Sequence, residues 1–314
     1  MLRAAKRFFS LRLSLATLVI ISFSLYTIWH LSETRTLSSP ETISIPTSTP
    51  IPEAQKIPKK LWYKLGPKGL SDQSRAWIDT CLERNPDYQH EFLTDESADV
   101  YVRKHFSSRA DIIETYFNLT IPILKADILR YLLLFVEGGF WSDLDVSCEE
   151  VPIGDWIPVE YRNSTGMVLG WEFDVGWFRR QFATWTIGAS PGSRHMAVVI
   201  DDVLSTILRL AHEHNCTIAD LHMDMIGDVI DVTGPVRFTR SILASLKLDY
   251  QGIIDIPTVE PVYVPRIFED VLILPGYAFA EGINKYPEGH TYGPKLVTHH
   301  YAGTWKNEQG GEVD

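Results

Sequence analysis

The residues best suited to chemistry gather in two short stretches. Asp127 and Arg130 stand three apart within residues 123–137, a run that is otherwise nearly all apolar. Helical spacing puts both on one face. Charges in so apolar a helix are costly unless paired or used. They are therefore either an internal ion pair that fixes packing, or a carboxylate and a guanidinium offered to a ligand rich in hydroxyls or phosphate. Asp143-Leu144-Asp145 follows, an acid-x-acid motif. In a strand over residues 140–146, alternation would aim both carboxylates to one side, where they can bind a divalent cation and orient a diphosphate. The alternative is a loop of solvated acids. The order of features around the motif favours a site: an apolar helix, a Gly138-Gly139 stop, the aromatic pair Phe140-Trp141, then the acids. The end of such a strand is where α/β sheets bind ligands.

Two further groups are candidates. His299 and His300 are adjacent, so in an extended segment they point to opposite faces and at most one meets the site. Glu172 and Asp174 can contact an acceptor or lie in a solvated loop. The sequence contains no Gly-x-Ser-x-Gly, Gly-x-x-x-x-Gly-Lys, His-Glu-x-x-His or Cys-x-x-Cys. Those absences argue against serine hydrolase, P-loop, zincin and zinc-finger chemistry. Cys81, Cys148 and Cys216 allow at most one intrachain disulfide.

The elements that must position these residues alternate in type. Residues 57–65 read as a first strand, 71–84 as a helix, and 91–94 as a short strand ending at Asp95, a helix cap. Residues 123–137 read as a helix stopped by the glycine pair, and 140–146 as a strand. Later strands are expected over 166–171, 184–187 and 271–274, with a helix over 196–210. Helices alternating with short strands predict an α/β sheet in one domain.

The net charge is −11, from 29 Lys+Arg against 40 Asp+Glu. Arg3, Lys6, Arg7 and Arg12 precede any acid, so the remainder is more acidic still. Such a body repels phosphate backbones, which argues against nucleic acid as a partner. Residues 13–29 form an uncharged apolar run behind those four cations. This predicts a cytosolic tail at 1–12, a signal-anchor helix at 13–31 and a crossing chain; a cleaved signal peptide is the rival reading. Residues 32–55 read as a stem rich in Ser, Thr and Pro, 56–306 as the catalytic domain and 307–314 as a tail. Asn118, Asn163 and Asn215 open N-glycosylation sequons.

From Pro122 to Asp145 the sequence closely resembles the sugar-nucleotide-binding region of family 32 glycosyltransferases, in particular the fungal Golgi α-1,6-mannosyltransferases. Ile57-Pro58-Lys59, residues 180–186, Thr233-Gly234-Pro235 and residues 299–305 extend the likeness across 56–306. The resemblance implies a glycosyltransferase-A, Rossmann-like single luminal domain behind the anchor. It implies a retaining transferase that uses Mn²⁺ (or Mg²⁺) and GDP-mannose, acting on glycoprotein N-glycans at the Golgi membrane, with other mannosyltransferase subunits as candidate partners. Asp127 and Arg130 would hold donor-sugar hydroxyls, and Asp143 would touch ribose and sugar. Leu61, Trp62 and Tyr131 would complete the donor site. Asp145 and His300 would ligate the metal, in preference to Asp143 and His299, and Glu172 or Asp174 would meet the acceptor.

Three other functions are consistent with the same residues. One is an inositol phosphoceramide mannosyltransferase, a group that usually carries further C-terminal spans. A second is a phosphohydrolase with an Asp nucleophile, which would need the acidic motif on its first strand. A third is a non-catalytic subunit of a mannosyltransferase complex, against which the presence of Asp127, Arg130, Asp143 and Asp145 argues.

Overall fold

The computed structural model of the chain describes residues 56–175, 180–249, 253, 261–289 and 292–303. The expected cytosolic tail, membrane anchor, stem and C-terminal tail lie outside the described residues. Among those described, no helix is long and apolar enough to cross a membrane.

Strand β1 (Lys60–Lys64) opens the domain, followed by α1 (Asp72–Arg84), whose first turn is capped by Ser71. Next come β2 (Gln89–Leu93), α2 (Asp95–His105) and α3 (Ala110–Asn118). The cap expected at Asp95 belongs one residue earlier. The Thr94 hydroxyl accepts from the Ser97 amide, and Ser97 returns a bond to Thr94, a reciprocal pair that fixes the start of α2.

The long apolar helix is α4 (Pro122–Val136), with Pro at its first position, where a missing amide costs nothing. Leu124, Ile128, Leu129, Leu132, Leu133 and Leu134 are buried along it. At about 1.5–3 kcal/mol for each fully buried side chain, these residues offset the several kcal/mol needed to desolvate Asp127 and Arg130. Helix α4 ends at Gly138 and Gly139, at φ +66° and +100°, backbone that other residues reach only under strain.

The expected strand over 140–146 is instead two strands with a turn between them. Strand β3 (Gly139–Ser142) pairs in parallel with β1 and antiparallel with the later β7. Strand β4 (Val146–Cys148) leaves that sheet. Between them the Val146 amide bonds back to the Asp143 carbonyl at 3.2 Å. The acidic motif is therefore a tight turn at a strand end, and pleat alternation does not govern its side chains. Strand β5 (Met167–Phe173), short β6 (Gln181–Phe182) and β7 (Thr186–Ala189) follow. Helices α5 (Arg194–Glu213), α6 (Met223–Ile226), α7 (Val229–Val232) and α8 (Pro235–Ser245) come next. The described chain closes with β8 (Arg266–Phe268), β9 (Val271–Leu274), α9 (Gly276–Ala280) and β10 (Val297–His299).

The main sheet runs β2-β1-β3-β7-β5-β9-β8, with β6 on β5, while β10 pairs with β4 in a second, two-stranded sheet. It is mixed: β1 is parallel to β2 and β3, β7 is antiparallel to β3 and β5, and β5 is parallel to β9. Both faces are covered. Trp62, Trp141, Leu169 and Ile273 join one apolar cluster with α2, α3, α4 and α5. Leu61, Tyr63, Phe140, Val168 and Leu272 join the other with α1 and α9. Burial on both sides explains why the strands read as short continuous apolar runs. A disulfide joins Cys81 of α1 to Cys148 of β4. The α/β expectation holds.

Candidate active site

The carboxyl ends of β1, β3 and β5 open onto a cavity of about 390 Å³, within the size range of small-molecule sites. Lys64 and residues 65–67 after β1, the acidic turn after β3, and Asp127 and Arg130 of α4 line it. Glu172, Gln181, Thr184, Trp185, His299 and Tyr301 line it as well.

Asp127 and Arg130 combine both roles left open by the sequence. They are paired at 2.9 Å, and they also face the cavity. The Thr233 hydroxyl donates to the second oxygen of Asp127 at 2.6 Å. One Arg130 amino group donates to the Thr184 carbonyl at 2.8 Å, and the other reaches Asp143 at 3.4 Å. Burial works against charge on Arg130, but Asp143 and Asp127 outweigh it and raise its pKa. The guanidinium is a fixed cation between two carboxylates.

Asp143 is also gripped by the Trp141 indole N–H at 2.6 Å. Asp145 accepts the Ala302 amide at 3.0 Å, and its other oxygen lies 3.3 Å from Nε2 of His299. Burial opposes the Asp145 carboxylate, yet the His299 contact and these bonds hold its pKa below the usual range. Ligand atoms of Asp143, Asp145 and His299 all lie within 4.8 Å of one another. Two carboxylates and an imidazole, with Nδ1 of His299 buried and unpartnered among the described residues, form a donor set that fits a divalent cation.

The structure turns His299, not His300, toward the acidic turn. Strand β10 pairs antiparallel with β4, His299 opposite Val146. That register turns the His299 ring into the cavity, stacked on Trp185 at 4.2 Å. His300 points the other way: its ring stacks on Trp77 at 4.2 Å and its Nε2 bonds the Ser147 hydroxyl. Its backbone amide, bonded to the Asp145 carbonyl at 2.9 Å, still braces the acidic turn.

Four other expected contacts lie away from the cavity. Leu61 and Trp62 are core residues on opposite faces of β1, and the Trp62 indole donates to the Gly138 carbonyl. Tyr131 is buried against Phe238 and donates to the Thr233 carbonyl at 2.7 Å, so it braces the segment that holds Asp127. Asp174 is wholly buried and pairs with Arg180 at 2.6 Å, with the Tyr286 hydroxyl and the Val262 amide as further donors. Glu172 does line the cavity, and burial pushes its pKa up to about 7.

Sequence reasoning assigned no role to Trp141, Gln181, Thr184 or Thr233. Trp141 was readable as the aromatic neighbour of the acids. The other three lie in segments that carry the family likeness.

With this geometry in view, comparison with known proteins defines the class. Residues 71–163 match the family described as a glycosyltransferase sugar-binding region containing a DXD motif. The turn Asp143-Leu144-Asp145 is that motif, and the chain is a glycosyltransferase. It is 28% identical to the initiation-specific alpha-1,6-mannosyltransferase of Candida albicans, over 82% of this chain and 74% of that one. It is 32% identical to the enzyme of the same name from Schizosaccharomyces pombe, over 71% of this chain and 58% of that one. Likeness to the mannosyl phosphorylinositol ceramide synthase SUR1 of Saccharomyces cerevisiae, at 36% identity, is confined to 22% of this chain and 17% of that one.

Proposed function

We propose that this protein transfers mannose from GDP-mannose in α-1,6 linkage onto N-linked glycans of glycoproteins, with retention of anomeric configuration. The observation that carries this reading is the meeting of Asp127–Arg130 and Asp143–Asp145–His299 in one cavity, in a chain similar to two α-1,6-mannosyltransferases over most of its length. The mixed sheet with its site at the carboxyl ends of parallel strands supports a glycosyltransferase-A arrangement.

Asp143, Asp145 and His299 would hold Mn²⁺, which supplies charge neutralisation on the leaving diphosphate. Asp127 and Arg130 are preset to receive sugar hydroxyls, one as acceptor and one as donor, with no rearrangement needed at the moment of reaction. The acceptor oxygen forms the new bond to the anomeric carbon as the bond to the diphosphate oxygen breaks. Its proton passes to the departing phosphate, so no protein nucleophile is required. Holding both substrates in one cavity supplies the orientation that such a front-face displacement needs.

We place the reaction in the Golgi lumen, with the chain held as a type II membrane protein. A disulfide fits an oxidising compartment, and Asn118, Asn163 and Asn215 are all exposed and open to glycan attachment. A drop in apparent mass on endoglycosidase treatment of protein made in its own cells tests that placement.

The reaction is tested by Mn²⁺-dependent release of GDP or UDP from a panel of nucleotide sugars, followed by linkage analysis of the product. Turnover of GDP-mannose with an α-1,6 product is expected. Turnover of another sugar nucleotide keeps the reaction class and replaces the donor. No turnover and no metal-dependent nucleotide binding overturns catalysis in favour of a non-catalytic subunit. The ceramide reading is disfavoured by the short span of its similarity, and product formed on inositol phosphoceramide would restore it.

A further inference from the structure

Strands β5 and β6 bring together two polar side chains whose pairing is incomplete. Nε2 of Gln181 donates to Oε2 of Glu172 at 2.5 Å. The two residues are only 3% and 8% exposed, and both line the cavity that holds the acidic turn. The remaining amide atom, Oε1 of Gln181, is buried with no hydrogen-bond partner among the described residues. An orphaned buried acceptor is costly to keep, and inside a ligand cavity it marks a contact that a ligand completes.

The chemistry of the orphan narrows the ligand. Oε1 of an amide only accepts, so it needs a donor group. A diphosphate offers acceptors alone and would be repelled by an amide oxygen beside a carboxyl group. A sugar hydroxyl both donates and accepts, and so can complete Gln181 while also meeting Glu172. In the proposed function the donor-sugar hydroxyls fall to Asp127 and Arg130 on α4, whereas this pair stands on a different element.

We propose that Gln181 and Glu172 seat the attacking hydroxyl of the acceptor sugar, with Gln181 Oε1 accepting its hydrogen bond. The inference rests on the glycosyl-transfer reading given above. Glu172 takes no proton in this arrangement; the pair holds the hydroxyl in the bound ground state, and as the anomeric bond breaks the hydroxyl's one hydrogen leaves Gln181 and passes to the departing phosphate oxygen. Asp174, just past the end of β5, has no part in it because its carboxylate is taken by Arg180, Tyr286 and Val262.

The test compares an α-mannose oligosaccharide with its analogue deoxygenated at the attacked 6-hydroxyl, by calorimetry on the full chain with GDP and Mn²⁺ present. In the unaltered protein the parent sugar should bind roughly tenfold tighter, the worth of one good hydrogen bond. In Gln181→Met, similar in length but without the amide, parent and analogue should bind alike while the Kd for GDP stays within about twofold. Should Gln181→Met lose its cooperative thermal transition, Gln181→Leu carries the same comparison, because it too removes the amide oxygen. A tenfold preference that survives in the folded variant overturns the proposal. So does a shifted GDP affinity with the sugar preference intact, since the pair would then serve the donor. Absence of mannosyl transfer by the unaltered protein overturns the underlying reading, and this one with it.

Discussion

Asp143 and Asp145 are held by different parts of the molecule, and their substitutions should differ accordingly. Asp143 is gripped by Trp141 and Arg130, Asp145 by the Ala302 amide and His299. Asp145→Ala should lower kcat/KM by roughly 10²–10³, the rate equivalent of several kcal/mol of charge stabilisation, and weaken Mn²⁺ binding measured by titration. His299→Ala should weaken Mn²⁺ binding in the same assay, whereas His300→Ala should leave it within a few fold. Equal effects from the two histidines would contradict the register of β10. Glu172 makes a prediction about pH. Its pKa is about 7 in the folded protein against 4.5 for an ordinary glutamate. Between those values the folded state keeps a proton that the unfolded state has shed, so stability falls as pH rises from about 4.5 to about 7. Glu172→Gln should remove that slope, stabilising by up to roughly 3 kcal/mol above pH 7 and little near pH 4.5, as read from thermal melts at the two ends. The acids and Arg130 were legible because charges in an apolar run, or spaced around one residue, stand out in a bare sequence. The choice of histidine was not, because neighbours on a strand differ only by which face the pairing exposes, and the partner strand is some 150 residues away.

Helix α4 and the strand after it are the element on which the site depends. Gly139 lies at φ +100°, and a Cβ there would come within 2.6 Å of the Lys60 carbonyl oxygen. That oxygen belongs to the backbone of β1 and cannot swing aside. Gly139→Ala should therefore cost about 2–4 kcal/mol by denaturant titration, and should disturb the neighbouring acidic turn as well. The apolar helix and its glycine stop were readable from composition and spacing. The break at Asp143 was not, because Phe140-Trp141-Ser142 and Val146-Ser147-Cys148 have equally strand-like side chains. What separates them is the backbone bond from Val146 to Asp143, made possible by short polar residues that tolerate a turn. Leu61, Trp62 and Tyr131 misled for a related reason. They border the site in sequence, but alternation and helical phase turn them into the core.

At the scale of the whole molecule, the disulfide Cys81–Cys148 ties α1, which packs on the main sheet, to the small sheet that follows the acidic turn. It closes a loop across 67 residues of separation. Replacing both cysteines by serine should cost about 2–4 kcal/mol, seen as a lower thermal midpoint, with Mn²⁺ affinity falling alongside stability because β4 is the strand so anchored. The α/β class was legible in the alternation of elements; the antiparallel β7 between β3 and β5 was not, since strand direction leaves no mark on short apolar runs. Strand β10 carries a consequence for timing. It comes after every other described strand, yet it supplies His299 and leads directly to Ala302, both against Asp145. A ribosome has therefore already made the main sheet, α4 and both aspartates before the last pieces of the centre emerge. A chain interrupted ahead of Val297 would keep the scaffold and most of the cavity wall but lack the imidazole, so under the proposed metal role the centre is completed only when the last described strand has been made.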